Sequence, residues 1–352
     1  MTRLVRIGFV GAGWWAVVNH IPRIKADPRT RLAGVCRLGA AELLRVKKHF
    51  GFDYATEDFQ QMLEDVPMEG LVISTPHRLH AAQALAAIDR GIHVLIEKPM
   101  AVDASEARAV VAAANTRGVH ALIPYGWNFK PFIVQARQWI AEGRIGRIQH
   151  VSGRMASPMG DLLRGQSYGG TEAEMFQPDP AMWADPVTGG YGWGQLIHLL
   201  GALFYLTELQ PTEVYGITGS HDQGSDLFNA VTLRFANGAT GALSGAATLP
   251  AGSPFDLTLD FYGTEGVISL AVDPARLTLR RHDGLTEDVP LAPGVGVYEC
   301  LEPVDRFIAL CAGEDVENCG PPECGARAVE VVAAMHASAR SGRPERIGDH
   351  HA

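Results

Sequence analysis

Leu4-Val5-Arg6-Ile7-Gly8-Phe9-Val10-Gly11-Ala12-Gly13-Trp14-Trp15-Ala16 is the stretch that decides the fold. Leu4–Val10 is a nearly continuous apolar run, the pattern of a parallel strand buried on both faces. Gly11 permits a tight turn. Gly13 lets the backbone approach a pyrophosphate, and Ala16 stands where a small residue allows helix and strand to pack closely. A helix expected over Gly13–Ala26, bent near Pro22, offers free N–H groups and a positive dipole end to phosphates. A G-x-G-x-x-A match alone is weak. Its place between a first strand and a first helix makes it a dinucleotide-binding turn. Trp14 and Trp15 flank the turn, one to pack on the cofactor and the other in the core.

Strand and helix keep alternating after that turn. Strands are expected at Arg31–Cys36, Gly70–Ser74, His93–Ile96 and His120–Pro124, and helices at Ala40–Phe50, Arg78–Arg90 and Ala104–Arg117. Gly91 and Gly118 close the last two helices. Repeated units of this size mean a parallel sheet covered by helices on both faces. The pattern changes near Tyr125. A helix over Phe132–Glu142 leads to a strand over Arg147–Met155, then to a Gly/Pro-rich stretch from Ala156 to Gly194, long enough to suggest function. A helix over Gln195–Leu206 precedes six strands between Val214 and Arg281 joined by short turns, the sign of an antiparallel sheet. Helices over Glu302–Ala312 and Ala326–Ser341 close the chain. The expected division is 1–124, a dinucleotide-binding Rossmann domain, and 125–352, a substrate-binding and oligomerisation domain.

Composition narrows the function. The 352 residues suit two domains at about 100–200 residues each. A formal net charge of −9 argues against nucleic acid or an anionic membrane as the main partner. No apolar run approaches the ~20 residues of a membrane helix, and Met1–Val10 is too short for a signal peptide, so a cytoplasmic location is expected. The five cysteines, Cys36, Cys300, Cys311, Cys319 and Cys324, lack zinc spacing and read as reduced core residues. His77-x-x-His80 has metal-like spacing but no third ligand nearby, so no metal is expected.

Two turns carry the chemistry. At the end of the second strand an NAD site usually has a carboxylate for the ribose 2′-hydroxyl. Here Gly34-Val35-Cys36 is followed by Arg37, with no acid before Glu42. Arg37 pairs with a 2′-phosphate, lies on the adenine, or is a solvated surface residue. The reading leans to NADP and leaves NAD open. After His93–Ile96 comes Glu97-Lys98-Pro99, at the strand end where open α/β sheets place ligands. A partly desolvated Lys98 beside a nicotinamide is suited to bond or protonate a substrate oxygen.

At this point the chain resembles the Gfo/Idh/MocA family of dehydrogenases. Five stretches carry the resemblance: Gly8-Phe9-Val10-Gly11-Ala12-Gly13, Ser74-Thr75-Pro76-His77-Arg78-Leu79-His80, Gly91-Ile92-His93-Val94-Leu95-Ile96-Glu97-Lys98-Pro99, Gly143-Arg144-Ile145-Gly146, and Gly189-Gly190 followed by His198. The resemblance implies an N-terminal Rossmann domain and a C-terminal α/β domain with a large open, mostly antiparallel sheet. It implies hydride transfer between nicotinamide and a secondary alcohol or ketone carbon of a sugar, glycoside or cyclitol. It further implies that Lys98 contacts the reacting oxygen, that Pro99 follows a cis peptide, and that Thr75 and Pro76, with His77 and His80 beside them, line the nicotinamide side.

His198 matches the family's histidine, and a neutral imidazole is a fitting base for a hydroxyl. A core histidine is the plain alternative. Many relatives carry an Asp four residues before it and often another three after it. Those positions are Gly194 and Gly201 here. Gln195 offers a hydrogen bond but no charge. Tyr125 and Asn128 are candidate partners for substrate hydroxyls. Trp127 and Trp193 are candidates to stack on a sugar face or to be core. Arg154 and Arg164 are candidates for an anionic substituent or plain surface charges. Two other readings stay open, a sugar-modifying enzyme using transient oxidation with no net redox change, and a dinucleotide-binding sensor without turnover. The open face of the sheet also suggests a homodimer or homotetramer.

Overall fold

The computed structural model describes residues 4–168, 175–220 and 224–348. Residues 169–174 of the expected long loop, and residues 1–3 of the first strand's approach, lie outside them. Two compact units emerge, each assembled from separated stretches of chain. The first comprises 1–126, 171–178 and 299–326, and the second 127–170, 179–298 and 327–352.

The first unit holds a six-stranded parallel sheet. Its strands are β1 (Val5–Val10), β2 (Thr30–Cys36), β3 (Tyr54–Thr56), β4 (Gly70–Ile73), β5 (His93–Ile96) and β6 (Ala121–Leu122), in the order β3-β2-β1-β4-β5-β6. The order reverses direction at β1/β4, and ligands of such sheets bind at the carboxyl ends beside that point. Ile7, Phe9 and Val10 of β1 are buried, as the apolar run requires. Asp58 and Asp103 cap the helices Phe59–Asp65 and Ala104–Arg117 by accepting backbone N–H bonds.

Several boundaries differ from expectation. The first helix is π-wound over Ala16–His20 before becoming α-helical over Ile21–Ala26, and Pro22 sits at the start of that α segment, where its missing N–H costs little. The irregularity therefore precedes the proline. Strand β3 and the helix Phe59–Asp65 have too little apolar periodicity to stand out in the sequence. The helix Glu302–Cys311 packs in the first unit rather than with the second sheet: Arg23 holds Asp305 with two bonds of 2.6 Å. Cys311 and Phe307 fill the space left by the absent side chain of Gly70. The chain at 318–320 also extends the sheet edge, with Ile123 N–H bonded to Gly320 O at 2.7 Å. All five cysteines are buried and reduced.

The second unit holds a nine-stranded sheet. Its strands are β7 (Ile148–Ala156), β8 (Pro211–Gly219), β9 (Phe228–Phe235), β10 (Thr240–Ala246), β11 (Asp256–Gly263), β12 (Gly266–Val272), β13 (Ala275–Arg281), β14 (Thr286–Asp288) and β15 (Glu345–Arg346). The order is β14-β13-β12-β11-β7-β10-β9-β8-β15, antiparallel except for the β7–β10 pair. Alternation along each strand sends Leu257, Leu259, Phe261, Ile268 and Leu270 into the core. The opposite face presents small and polar side chains together with Tyr215, Ile217, Phe228 and Tyr262, which are exposed. The expected loop from Ala156 to Gly194 contains short helices at Gly160–Leu163 and Pro180–Trp183, and a π-helix over Gly192–Leu196 runs into the helix Ile197–Leu206. No helix among the described residues is long and apolar enough to cross a membrane.

Candidate active site

The Gly-rich turn is shaped as its residues require. Gly11 has φ +85°, and a Cβ there would lie 2.4 Å from Ser74 O and 2.6 Å from Thr75 N, so only glycine fits. A Cβ on Gly13 would meet nothing within 4 Å, so the backbone there faces open space that a pyrophosphate can enter. Arg37 is half-buried, donates to Ala12 O at 2.8 Å and lies 4.2 Å from the Phe176 ring centre. It is pinned across the turn, so the plain solvated-residue alternative fails. These residues fit a bound dinucleotide.

The Glu97-Lys98-Pro99 turn is locked from behind. Glu97 is buried, and its Oε1 accepts from Trp15 Nε1 at 2.8 Å and His20 Nε2 at 2.7 Å, while its Oε2 accepts from the Lys98 backbone N–H at 3.1 Å. Burial pushes the Glu97 carboxyl up, but the His20 hydrogen bond and the neighbouring charges outweigh it and hold the group below the usual carboxylate range. Burial pushes the Lys98 amine down, opposed by the Glu97 charge. Lys98 therefore gives up its proton more readily than a surface lysine, as a proton-handling group must. The Lys98–Pro99 bond is cis.

His80 joins this turn to the neighbouring loop. It is fully buried, with Nδ1 2.7 Å from Pro99 O and Nε2 2.7 Å from Thr75 O. Burial lowers its proton affinity and the two carbonyls raise it. Thr75 Oγ1 donates to Gln83 at 2.6 Å, Pro76 is exposed, and His77 is buried 5.8 Å from the His80 ring. Both ring nitrogens of His80 and both oxygens of Glu97 are thus engaged by protein. These bonds tie the two loops together and fix the turn that carries Lys98. Trp15 likewise spends its N–H on Glu97, and Trp14 packs edge-on against it at 5.3 Å. Tyr125 is fully enclosed, and burial pushes its phenol up. Cys300, buried and at φ 57°, is close enough to Lys98 to influence its charge.

In the second unit His198 stands on the helix Ile197–Leu206. Its ring is 5.5 Å from Trp127 and 5.5 Å from Tyr298, both edge-on, and Phe255 lies 5.8 Å from Trp127. Trp127 Nε1 donates to Gly296 O at 2.9 Å, and Asn128 Nδ2 to Gly201 O at 3.3 Å. Gln195 is buried on the π-helix that precedes His198. Asp226 anchors that π-helix. Its Oδ2 accepts from Gly192 N at 2.8 Å and Asn229 Nδ2 at 2.6 Å, and its backbone carbonyl accepts from Tyr191 N at 2.8 Å.

Trp193 is buried, donates to Val187 O and stacks on His336 at 5.8 Å. Arg154 points to the exposed face of the sheet, because β7 alternates, and pairs there with Asp256 at 2.9 Å. Arg164 is partly exposed near Asp161. No group of three or more metal-ligating side chains occurs among the described residues.

Sequence reading missed His20, Trp183, Asp226, Phe255, Tyr298 and Cys300. His20 shares Glu97 with Trp15, five residues away, because the helix there is π-wound. An α-helical period would have turned the two residues to different faces.

The arrangement defines a Rossmann unit whose Gly-rich turn fits a dinucleotide. Residues 5–125 match the model of the oxidoreductase family with an NAD-binding Rossmann fold, and residues 133–269 match the GFO/IDH/MocA C-terminal domain. The chain belongs to the Gfo/Idh/MocA family. Among curated relatives, it is 27% identical over 236 residues to 1-carboxy-3-chloro-3,4-dihydroxycyclohexa-1,5-diene dehydrogenase of Comamonas testosteroni, a match covering 66% of this chain and 56% of that protein. It is 30% identical over 135 residues to levoglucosan dehydrogenase of Pseudarthrobacter phenanthrenivorans, covering 38% of this chain and 32% of that protein. The matches thus span about half and a third of those two relatives. A solved levoglucosan dehydrogenase in complex with NADH and levoglucosan superposes with TM-score 0.77 at 20% identity, over 99% of this chain and all of that one. That likeness shows the fold.

Proposed function

We propose that the chain is an NAD(P)-dependent dehydrogenase or ketoreductase, acting between nicotinamide and a secondary alcohol or ketone carbon of a sugar, glycoside or cyclitol. The observation that carries this reading is Lys98, a partly buried amine of lowered proton affinity fixed at the end of β5 by the Glu97 network. When bound, the nicotinamide exchanges a hydride with the reacting carbon.

Residues of the chain do the rest. The backbone at Gly11 and Gly13 holds the pyrophosphate. Arg37 meets the adenosine end, and the lack of a carboxylate after β2 admits a 2′-phosphate, which favours NADP without excluding NAD. Lys98 hydrogen-bonds the reacting oxygen and takes or returns its proton. His198 relays that proton as a neutral imidazole. In oxidation the carbinol loses its C–H electron pair as hydride and its O–H proton to the chain, giving a ketone. Tyr125, Trp127, Asn128 and Gln195 shape the surroundings of the substrate. The first unit serves the dinucleotide, and the second serves the substrate and self-association.

The exposed face of the nine-stranded sheet, with Tyr215, Ile217, Phe228 and Tyr262, is suited to a second copy of the chain. The protein works in the cytoplasm as a homodimer or homotetramer.

The test is a panel of sugars, glycosides and inositols with NAD and NADP, followed by nicotinamide absorbance. Reduction of cofactor by a member of the panel is the expected result. Product without net absorbance change would mean transient oxidation. Cofactor binding with no reaction across the panel would mean a sensor and overturn the proposal.

A further inference from the structure

Two unusual features of the first helix serve a single bond. The first is its winding. Trp15 and His20 are five residues apart, a separation that an α-helix would turn by about 140°. The π-turn over Ala16–His20, a rare form that recurs at functional sites, sets both side chains on Glu97 Oε1 instead. The second is His20 itself. Its side chain is fully buried, and Nε2 lies 2.7 Å from Glu97 Oε1. Because a carboxylate only accepts, Nε2 is the donor. Its other nitrogen, Nδ1, is enclosed with no hydrogen-bond partner among the described residues. An unsatisfied buried nitrogen weakens a fold. Packing alone would place carbon here, as it does at the neighbouring buried Val17, Ile21 and Ile24. The imidazole is therefore kept for what its Nε2 does to Glu97.

That bond acts one step away from Lys98. Glu97 is anchored in the sheet by its own N–H, bonded to Ile73 O at 2.9 Å. Its Oε1 receives the two N–H groups from the helix, and its Oε2 accepts the Lys98 backbone N–H at 3.1 Å. On the other side of Lys98, Pro99 O lies 2.7 Å from His80 Nδ1. The backbone of Lys98 is thus held from both sides, and one of the two holds depends on the carboxylate that His20 orients. We propose that His20 is a positioning residue for Lys98: it acts through Glu97, and it keeps the Lys98 backbone, and with it the direction of the amine, in the geometry that proton transfer requires. The inference rests on the dehydrogenase reading above and adds to it a residue that the reaction depends on without contact.

Two substitutions separate this role from packing. His20→Phe keeps a ring and removes the donor, and His20→Gln returns an amide N–H near the place of Nε2. The probes are D-glucose, methyl α-D-glucoside and myo-inositol with NAD and NADP, and kcat is read from nicotinamide absorbance on the one that the unaltered enzyme turns over fastest. His20→Phe is expected to lower kcat about 10–100-fold, the scale of a small misplacement of a reacting group. The dissociation constant for NAD(P), titrated without substrate, is expected to stay within about twofold, since the loss falls on the chemical step. The melting temperature should change little, because a lost hydrogen bond and a removed unsatisfied nitrogen oppose each other. His20→Gln is expected to recover kcat to within about threefold of the unaltered enzyme. His20→Asn, whose amide is too short to reach Glu97, takes the place of the phenylalanine variant if that protein does not fold, and the same loss is expected of it. In an active enzyme, three results would each overturn the inference and leave the dehydrogenase reading standing: kcat nearly unchanged without the donor, a loss that folded His20→Gln does not recover, or a loss carried by cofactor binding with kcat intact. Absence of cofactor reduction by the unaltered chain with these probes and with the wider panel would overturn both.

Discussion

The surroundings of Lys98 and those of His198 are built on opposite principles. Around Lys98, polar groups hold polar groups: Glu97 is gripped by Trp15, His20 and the Lys98 N–H, and His80 spans Pro99 and Thr75. Around His198, Trp127 and Tyr298 stand at edge-on distances, and Asp226 accepts a backbone N–H of the π-helix that precedes it. A hydrogen-bonded lattice fixes angle as well as distance, so it suits the group that must meet one reacting atom. Aromatic packing fixes shape and excludes water, so it suits selection of what is brought there.

The largest effect expected from breaking this contrast is at Lys98. Lys98→Met removes the amine but keeps the stem, and kcat should fall at least about 100-fold, the scale of losing a general acid–base group. Its folded-state proton affinity is lowered, so carrying the charge costs stability below that lowered pKa, and the cost is relieved as pH rises through it. The melting temperature of Lys98→Met should therefore not fall at neutral pH. Near-normal turnover would remove Lys98 from the mechanism. Gly13→Val is next. Its Cβ meets open space, so the fold should persist, while the dissociation constant for NAD(P) in titration should rise at least about tenfold as the branched side chain enters the phosphate cradle.

Glu97→Gln probes the lattice itself. One oxygen is replaced by a donor, and either Trp15 and His20 or the Lys98 N–H meets the wrong partner. Loss of a buried charge partner is worth about 3–5 kcal/mol at most. Because the folded-state carboxyl lies below its usual value of 4.5, its contribution is present above that pH and is lost as pH falls through the folded value. The stability gap between the unaltered protein and Glu97→Gln, measured by denaturant unfolding, should be widest above pH 4.5 and narrow in acid. A gap that widened in acid would contradict the assignment of Glu97 as a buried carboxylate.

How much of this was legible in the sequence follows the same contrast. Five strands of the parallel sheet were readable because each is an apolar run ended by a turn residue, whereas β3 (Tyr54–Thr56) was not. The roles of Gly11 and Gly13 were readable because a backbone requirement maps onto one residue type. Lys98 was readable because its turn is contiguous. The supports were not. His20 aligns with Trp15 only through a π-turn, and nothing in the local residues announces that winding. Trp183 reaches Gly194 across a stretch without periodicity, and Tyr298 reaches His198 from a hundred residues away. The missing acid at 194 was visible, but what fills its place required the fold. The segment 299–326 reads as part of the second half, yet its helix packs in the first unit, because sequence order says nothing about which sheet a returning helix covers.

The smallest expected effect tests the sheet's other face. Arg154, read from the sequence as a substrate contact, sits on β7 with its side chain 61% exposed, and its partner Asp256 is 31% exposed. Such a pair contributes about 0–1 kcal/mol, and salt screens it. Arg154→Ala should leave kcat/KM unchanged and the melting temperature nearly so. The charge reversal Arg154→Glu sets a carboxylate against Asp256 on the face proposed to meet a second copy of the chain. Burial in a subunit interface would turn that weak surface repulsion into a strong one, because the two charges would lose their solvent. Light scattering of Arg154→Glu should then show a smaller particle with the catalytic constants of each subunit largely retained. An unchanged mass would remove this part of the sheet from the interface, and a selective rise in KM would return Arg154 to the substrate.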